Sequence, residues 1–275
     1  MGILYNLKGA QFTDSRLPQL RAYPGLTDGS LALLDASQLG NIDFTSVVTG
    51  IPNLAVSEAT RLTGKTEADL AFTWSNTLGL TGATPEAKFE RTPKGGLHGI
   101  LSQANQVAGH RGRFQTPGIM EYVATHQNDH KFALFMHYRV TRAGAGTGAT
   151  SATEALIASQ TSPSSNRLIV FRLPNTVQSA PALMGLQSDK AGTDFTSTVY
   201  YQDLPVWGAA SGFGSLVNNS CKSFVLYRMH FVDIDASGMT YAELLNSEQQ
   251  IYNINFGTGG KYAGDTIPTD PSTIP

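Results

Sequence analysis

One cysteine, Cys221, stands in 275 residues, so no intrachain disulfide framework holds this fold. Cys221 reads as a small buried hydrophobe, since a catalytic thiol would need a partner histidine and an electropositive setting. Charge is also scarce: Asp, Glu, Lys and Arg make up 15% of the chain and the formal net charge is -2. That balance supplies no broad attraction to nucleic acid or to an anionic membrane surface, and neither partner is expected. No apolar run approaches the ~18 residues of a membrane span, so no membrane insertion is expected. The opening MGILYNLKGAQF has no basic segment followed by a long apolar one, which predicts a soluble protein without a standard export signal. Gly2 is followed by Asn6 where a myristoylation site wants Ser or Thr. The strong chemical motifs are missing as well. There is no G-x-G-x-x-G between a strand and a helix, no G-x-x-x-x-G-K-[ST] phosphate loop, and no G-x-S-x-G, H-E-x-x-H or C-x-x-C. The chain is therefore read as non-enzymatic, with no cofactor.

What is abundant is Gly, Ser, Thr, Asn and Gln, a composition suited to turn-rich β structure with neutral polar surfaces that favour protein packing or sugar contact. The chain is organised around Ser223 to Leu245, SFVLYRMHFVDIDASGMTYAELL. From Phe224 to Val232 both alternating faces are apolar or aromatic, interrupted only by Arg228 and His230, which predicts a strand buried between two layers. Asp235 to Gly238 then reads as a turn. Thr240 with Glu243 forms a capping box ahead of a short helix carrying Tyr241, Leu244 and Leu245.

Further strands are predicted at DLAFTWS (69 to 75), LHGILSQ (97 to 103), Ile119 to Ala124, Phe132 to Thr141, LIVFRL (168 to 173) and STVYYQDLPVW (197 to 207). The strand from Phe132 is half apolar on its second face, which places it near a sheet edge. Gln106 to Gly118, with His110, Arg111 and Arg113, reads as an exposed loop. Residues 143 to 166 are low in complexity and read as a flexible insertion with one helical turn at Glu154 to Ala158. Residues 1 to 64 carry Pro18, Pro24 and Pro52 among short apolar pieces. They read equally well as an arm laid across another surface and as edge segments of the main body. The tail 256 to 275, rich in Gly and Pro, excludes helix and interior strand and reads as an extended arm. The expected layout is an all-β body over 65 to 255 between two arms.

Three constellations bear on chemistry. His126 and His130, in THQNDH, would share a face on a helix and could bind a metal there. Their flanks read as strands, so a polar turn is expected and no metal site. Asp233 and Asp235 alternate correctly for a carboxylate pair or a calcium site, but they sit where the strand enters a turn and read as solvated turn carboxylates. Trp74, Tyr200, Tyr201 and Trp207 are candidates for stacking on sugar rings, with one tyrosine of the adjacent pair expected to be exposed.

The segments LHGILSQ, FVLYRMHFVDIDASGMTYAELL and GGKYAGDTIPTDP resemble virion structural proteins of tailed bacteriophages, often built on a concanavalin A-like or laminin-G-like jelly roll. The resemblance implies an all-β jelly-roll β-sandwich with extended N- and C-terminal arms and one short C-terminal helix. It also implies a homo-oligomeric particle subunit, such as a capsid decoration, fibre or tail component, assembled in the host cytoplasm with other virion proteins, and the terminal arms are expected to hold its neighbours. A host surface glycan is the expected ligand class. A receptor-binding lectin-like module and a glycoside hydrolase using Asp233 and Asp235 are the alternatives.

Overall fold

The run Ser223–Asp233 is buried along its whole length, as its two apolar faces require, and the larger sheet is built on both of its sides. The computed structural model describes residues 23–146, 148–161, 163, 165–188, 196–212 and 219–275. In chain order the strands are β1 (Ser30–Asp35), β2 (Val48–Ile51), β3 (Phe72–Asn76), β4 (Ala87–Arg91), β5 (Leu97–Leu101), β6 (Arg111–Gln115) and β7 (Phe132–Arg142). They continue with β8 (Ala155–Ser159), β9 (Arg167–Phe171), β10 (Ala182–Gln187), β11 (Tyr200–Asp203), β12 (Val206–Gly208) and β13 (Ser223–Asp233). Among the described residues the α-helices are α1 (Val56–Thr63), α2 (Glu67–Leu70), α3 (Met120–His126), α4 (Ile234–Ser237) and α5 (Tyr241–Phe256), with 3-10 turns at Ala36–Gln38, Pro117–Ile119 and Pro271–Thr273.

The chain is mostly β, 32% strand and 20% helix. One sheet runs β10-β7-β13-β5-β4, with β1 beside the second half of β13. The other sheets, β12-β6-β3-β2 and β11-β8-β9, meet through residues 200 to 208. There Leu204 N donates to Phe114 O at 2.8 Å and Val206 N to Glu154 O at 2.8 Å. All pairings are antiparallel. One hydrophobic core joins residues from every sheet, the arrangement of a β-sandwich with a front sheet and a composite back layer.

A bulge between Leu226 and Arg228 shifts the phase of β13. Phe224, Leu226, Met229 and Phe231 join the inter-sheet core, whereas Val225, Tyr227 and Val232 pack in clusters on the outer face. That outer face is covered by α5, whose capping box of Thr240 and Glu243 is formed as expected. The helix is 16 residues long rather than the short one predicted. Leu244, Glu248 and Ile251 form its buried stripe at helical spacing.

Several expectations need correction. β7 lies between β10 and β13 and is no edge strand, because its half-polar second face is roofed by α5, with the His137 ring 5.7 Å from Tyr252. Ala155 to Ser159 is the fully buried strand β8, not a helical turn, since pairing on both sides outweighs the helical preference of Ala and Leu. Arg111–Gln115 is β6, not a loop: Gly112 and Phe114 turn inward and Arg111, Arg113 and Gln115 outward. Met120–His126 is helical, not extended.

The described part of residues 1 to 64 belongs to the body, with β1 bonded to β13 and β2 to β3. Residues 1–22, which carry Pro18, lie outside the described residues. The tail is neither an extended nor an outward arm: it folds into turns and a short 3-10 helix at Pro271–Thr273 and lies on its own subunit. Tyr262 is 1% exposed and its hydroxyl donates to Asp35 at 2.7 Å. Asp265 accepts from Thr92 at 2.5 Å, Thr269 donates to Glu90 at 2.6 Å, and the Pro275 carbonyl accepts from Gln103 N at 2.7 Å. Proline and glycine exclude ladders but not tight packing through isolated anchors.

Candidate functional site

Two adjoining depressions open on the back layer. The first, about 550 Å³, lies among Lys65, Asp69, Thr73, Pro117, Glu121 and Tyr200. The second, about 410 Å³, lies among Arg113, Gln115, Gln160, Thr198, Tyr201 and Gln202. Ser197 and Tyr200 line both, so the two form one groove with Tyr200 at its middle. Strand alternation sends Tyr200 toward the inter-sheet core and Tyr201 against Leu156, Ala158 and Val206 on the outside. Both rings are half-buried, held by apolar packing with an edge left to the groove.

The groove's charges are mostly paired. Arg113 donates to Asp203 at 2.8 Å and to Ser211 at 2.6 Å, and Asp203 is fully buried. Lys65 and Glu121 form an ion pair at 2.6 Å. Gln202 is fixed by two bonds with the Thr116 backbone, 2.9 and 3.0 Å, and Gln115 donates to the Gln202 carbonyl at 2.9 Å. The result is a polar, charge-compensated surface around an aromatic ring. Its carboxylates are poor general acids. The Lys65 ammonium holds Glu121 below the usual carboxylate range, and bonds from Thr66 do the same for Asp69, whereas acid catalysis needs a carboxyl held protonated.

Trp74 and Trp207 lie elsewhere. Both are 0% exposed in an aromatic cluster where Trp74 meets Phe89 at 5.0 Å and Trp207 stacks on Phe224 at 4.6 Å. Two glycines make the room. A Cβ on Gly99 would come within 2.3 Å of the Trp207 indole, and one on Gly112 within 2.6 Å of Trp74. Both indoles are also satisfied, Trp74 Nε1 donating to the Phe44 carbonyl at 3.2 Å and Trp207 Nε1 to that of Phe224 at 3.3 Å. Neither indole can stack on a ligand in this conformation.

Asp233 is 0% exposed rather than solvated. Tyr122 donates to it at 2.8 Å, His130 Nδ1 lies 2.6 Å away, and Ala236 N donates at 2.9 Å as the cap of α4. Asp235 accepts from Lys131 N at 2.6 Å. Asp233 is committed to capping α4 and Asp235, which is exposed, to the Lys131 backbone, and neither lines the two depressions. Among the described residues, the one group of three metal-ligating side chains is His126, Asp129 and His130. Gln115, Gln160 and Lys65 were not singled out from the sequence and Arg113 was read only as a loop charge, although for Arg113 and Gln115 the polar alternation around Gly112 and Phe114 carries the signal.

No protein-family model matches the chain, and no curated protein is similar to it. Among the described residues no helix is long and apolar enough to cross a membrane.

Proposed function

We propose that the chain is a non-enzymatic subunit of a bacteriophage particle, with a concanavalin A-like jelly-roll body that contacts a neutral glycan through the Tyr200 groove. The particle setting rests on the resemblance of LHGILSQ, FVLYRMHFVDIDASGMTYAELL and GGKYAGDTIPTDP to virion structural proteins. The two-layer antiparallel body supports the jelly-roll part.

The observation that carries the ligand is the meeting of both depressions at one half-buried tyrosine. A pyranose offers an apolar C–H face to an aromatic ring and hydroxyls to amide and hydroxyl groups. Gln115, Gln160, Ser197 and Thr198 supply the latter. With Arg113 and Lys65 engaged by carboxylates, the groove favours an uncharged ligand over a polyanion. Assembly with other copies and with other virion proteins is assigned to surfaces other than the tail, which is spent on its own subunit.

A glycan array followed by titration calorimetry tests the reading. Tyr200→Ala is expected to abolish measurable binding, and Tyr201→Ala to weaken it. Wild-type protein that retains no glycan, or a Tyr200→Ala variant that binds as wild type does, refutes it.

A further inference from the structure

The end of α3 carries a cluster that the saccharide groove does not use. We propose that His126, Asp129 and His130 bind a divalent transition-metal ion of the Zn²⁺ class, with Asp233 as the outer support of His130.

The local fold brings the ligands together. Past the end of α3, Asp129 N and His130 N both donate to the His126 carbonyl, at 3.3 and 2.9 Å, so the chain makes one more helical turn. Residues four apart then share a face, and the two imidazoles lie 4.2 Å apart with 24° between their planes. One ligand atom from each of the three residues lies within 4.8 Å of the others. Bonds of ~2.1 Å to a tetrahedral ion set neighbouring donors about 3.4 Å apart, which the stacked rings reach by turning about their χ angles until their in-plane lone pairs converge. The expected polar turn is present at 127 to 129, but the flank on its N-terminal side is helix rather than strand, which turns His126 and His130 to the same side.

The donors are also prepared for an ion. Asp233 already accepts from Tyr122 and from Ala236 N, so its third close partner, His130 Nδ1 at 2.6 Å, is the donor in that contact. The Nδ1 proton fixes the tautomer and leaves the Nε2 lone pair for a metal, the arrangement by which an outer carboxylate orients a ligating histidine. On the other ring, His126 Nδ1 is enclosed and has no hydrogen-bond partner. Its nearest carboxylate oxygen, on Asp129, is 3.7 Å away, too far for a hydrogen bond. A metal ion between these groups satisfies that nitrogen. Two imidazoles and one carboxylate select Zn²⁺, Ni²⁺ or Cu²⁺ over Mg²⁺ and Ca²⁺, which prefer all-oxygen shells. Three protein ligands leave a position for solvent, and side-chain exposures of 29% for His126 and 24% for His130 leave it accessible.

The test uses chelator-stripped full-length protein titrated with Zn²⁺ by calorimetry and with Co²⁺ by visible absorption. The expected result is one Zn²⁺ per chain, a tetrahedral or five-coordinate Co²⁺ spectrum, and no Mg²⁺ binding. His126→Ala, which leaves the Asp233 contacts untouched, is expected to remove the site and the Zn²⁺-dependent rise in melting temperature. Asp233→Asn is expected to weaken binding by roughly 10–100-fold, the range for an outer-shell partner. No Zn²⁺ binding by the wild type, or equal binding by wild type and a folded His126→Ala variant, overturns the proposal.

Discussion

Removing the Glu248 carboxylate is expected to be the most damaging single change on α5. Glu248 is 2% exposed and faces Arg228, 3% exposed, through two bonds of 3.0 Å each. His230 Nδ1 donates to the same carboxylate at 2.8 Å, while its Nε2 lies 2.9 Å from the Ser30 hydroxyl. His137 Nε2 is 3.0 Å away but out of hydrogen-bond alignment, so it contributes as a nearby dipole only. Burial alone would raise the Glu248 pKa; the Arg228 guanidinium and the two imidazoles outweigh it and hold the group well below the usual range. Glu248→Leu keeps most of the volume but leaves Arg228 charged and enclosed, with only the Pro24 carbonyl at 3.0 Å as a partner. Breaking a buried pair in this way costs about 3–5 kcal/mol. At about 2–4 °C per kcal/mol for large domains, the melting temperature falls by on the order of 10 °C. Urea unfolding followed by the fluorescence of the buried Trp74 and Trp207, with calorimetry, measures it. The double variant Arg228→Met/Glu248→Leu removes both charges and is expected to recover most of the loss, since apolar replacement of a whole buried pair is often neutral or better. A single variant that loses less than ~1 kcal/mol would match an exposed pair and refute the enclosed charge. A double variant as unstable as the single would show that packing, not charge, was lost.

Stability should first decline on acidification in the histidine range. Burial lowers the pKa values of His98, His137 and His230 despite their carboxylate partners, so the fold favours neutral rings. Their contribution is complete above the ordinary value of about 6.5 and is lost as pH falls below it. The depressed Glu248 keeps its own contribution until the pH falls below the ordinary carboxylate range. Melting temperatures between pH 8 and 5 are expected to be level above pH ~7 and to drop below ~6.5; a level profile down to pH 5 would contradict the assignment. Tyr262→Phe, which loses the bond to Asp35, is expected to cost about 1.5–3 kcal/mol in urea unfolding, and Tyr262→Ala about 3–5 kcal/mol. Cys221 is 3% exposed, and burial, reinforced by Glu154 against Lys222, pushes its thiol up to about 12. It should resist a thiol reagent in native protein and react fully in urea.

Short-range patterns in the chain carried the framework. β13 announced itself because apolar residues on both faces have only one stable placement, and the Thr240–Glu243 box marked the start of α5 because its two bonds are local. Features that depend on distant partners were hidden. Trp74 and Trp207 look like sugar platforms until Gly112 and Gly99, on other strands, are seen to make room for them. Residues 155 to 159 became β8 only because β9 and β11 flank them, and seven residues of α3 are too few to display a period. Of the groove, Tyr200 and Tyr201 were legible as an adjacent pair on a strand. Lys65 and Gln160 were not, because nothing local ties them to Tyr200, which lies 135 positions beyond Lys65 and 40 beyond Gln160.

The proposed glycan groove assigns different work to the two faces of the sandwich, and that division can be tested. On the front sheet the outward residues of β13, from Val225 to Val232, are buried beneath α5 and the tail, so substitutions there act on folding. On the back layer, the outward residues of β6 stay half-exposed, with Arg113 and Gln115 beside Tyr200 and Tyr201. Arg113 pairs the buried Asp203 and belongs to the fold, whereas Tyr200 holds no buried charge and its half-buried ring contributes less to folding. Tyr200→Ala should therefore lose glycan affinity with a stability change of about 1–2 kcal/mol at most, because the ring is only half-buried and its removal forfeits part of the transfer free energy of a core aromatic. Arg228→Met/Glu248→Leu should keep full affinity at temperatures below its melting point. These sites share no partner, so their effects on stability should add within ~0.5 kcal/mol when combined. Strong coupling between them would mean that α5 and the groove belong to one adjustable unit, and the assignment of binding to the back layer alone would have to be abandoned.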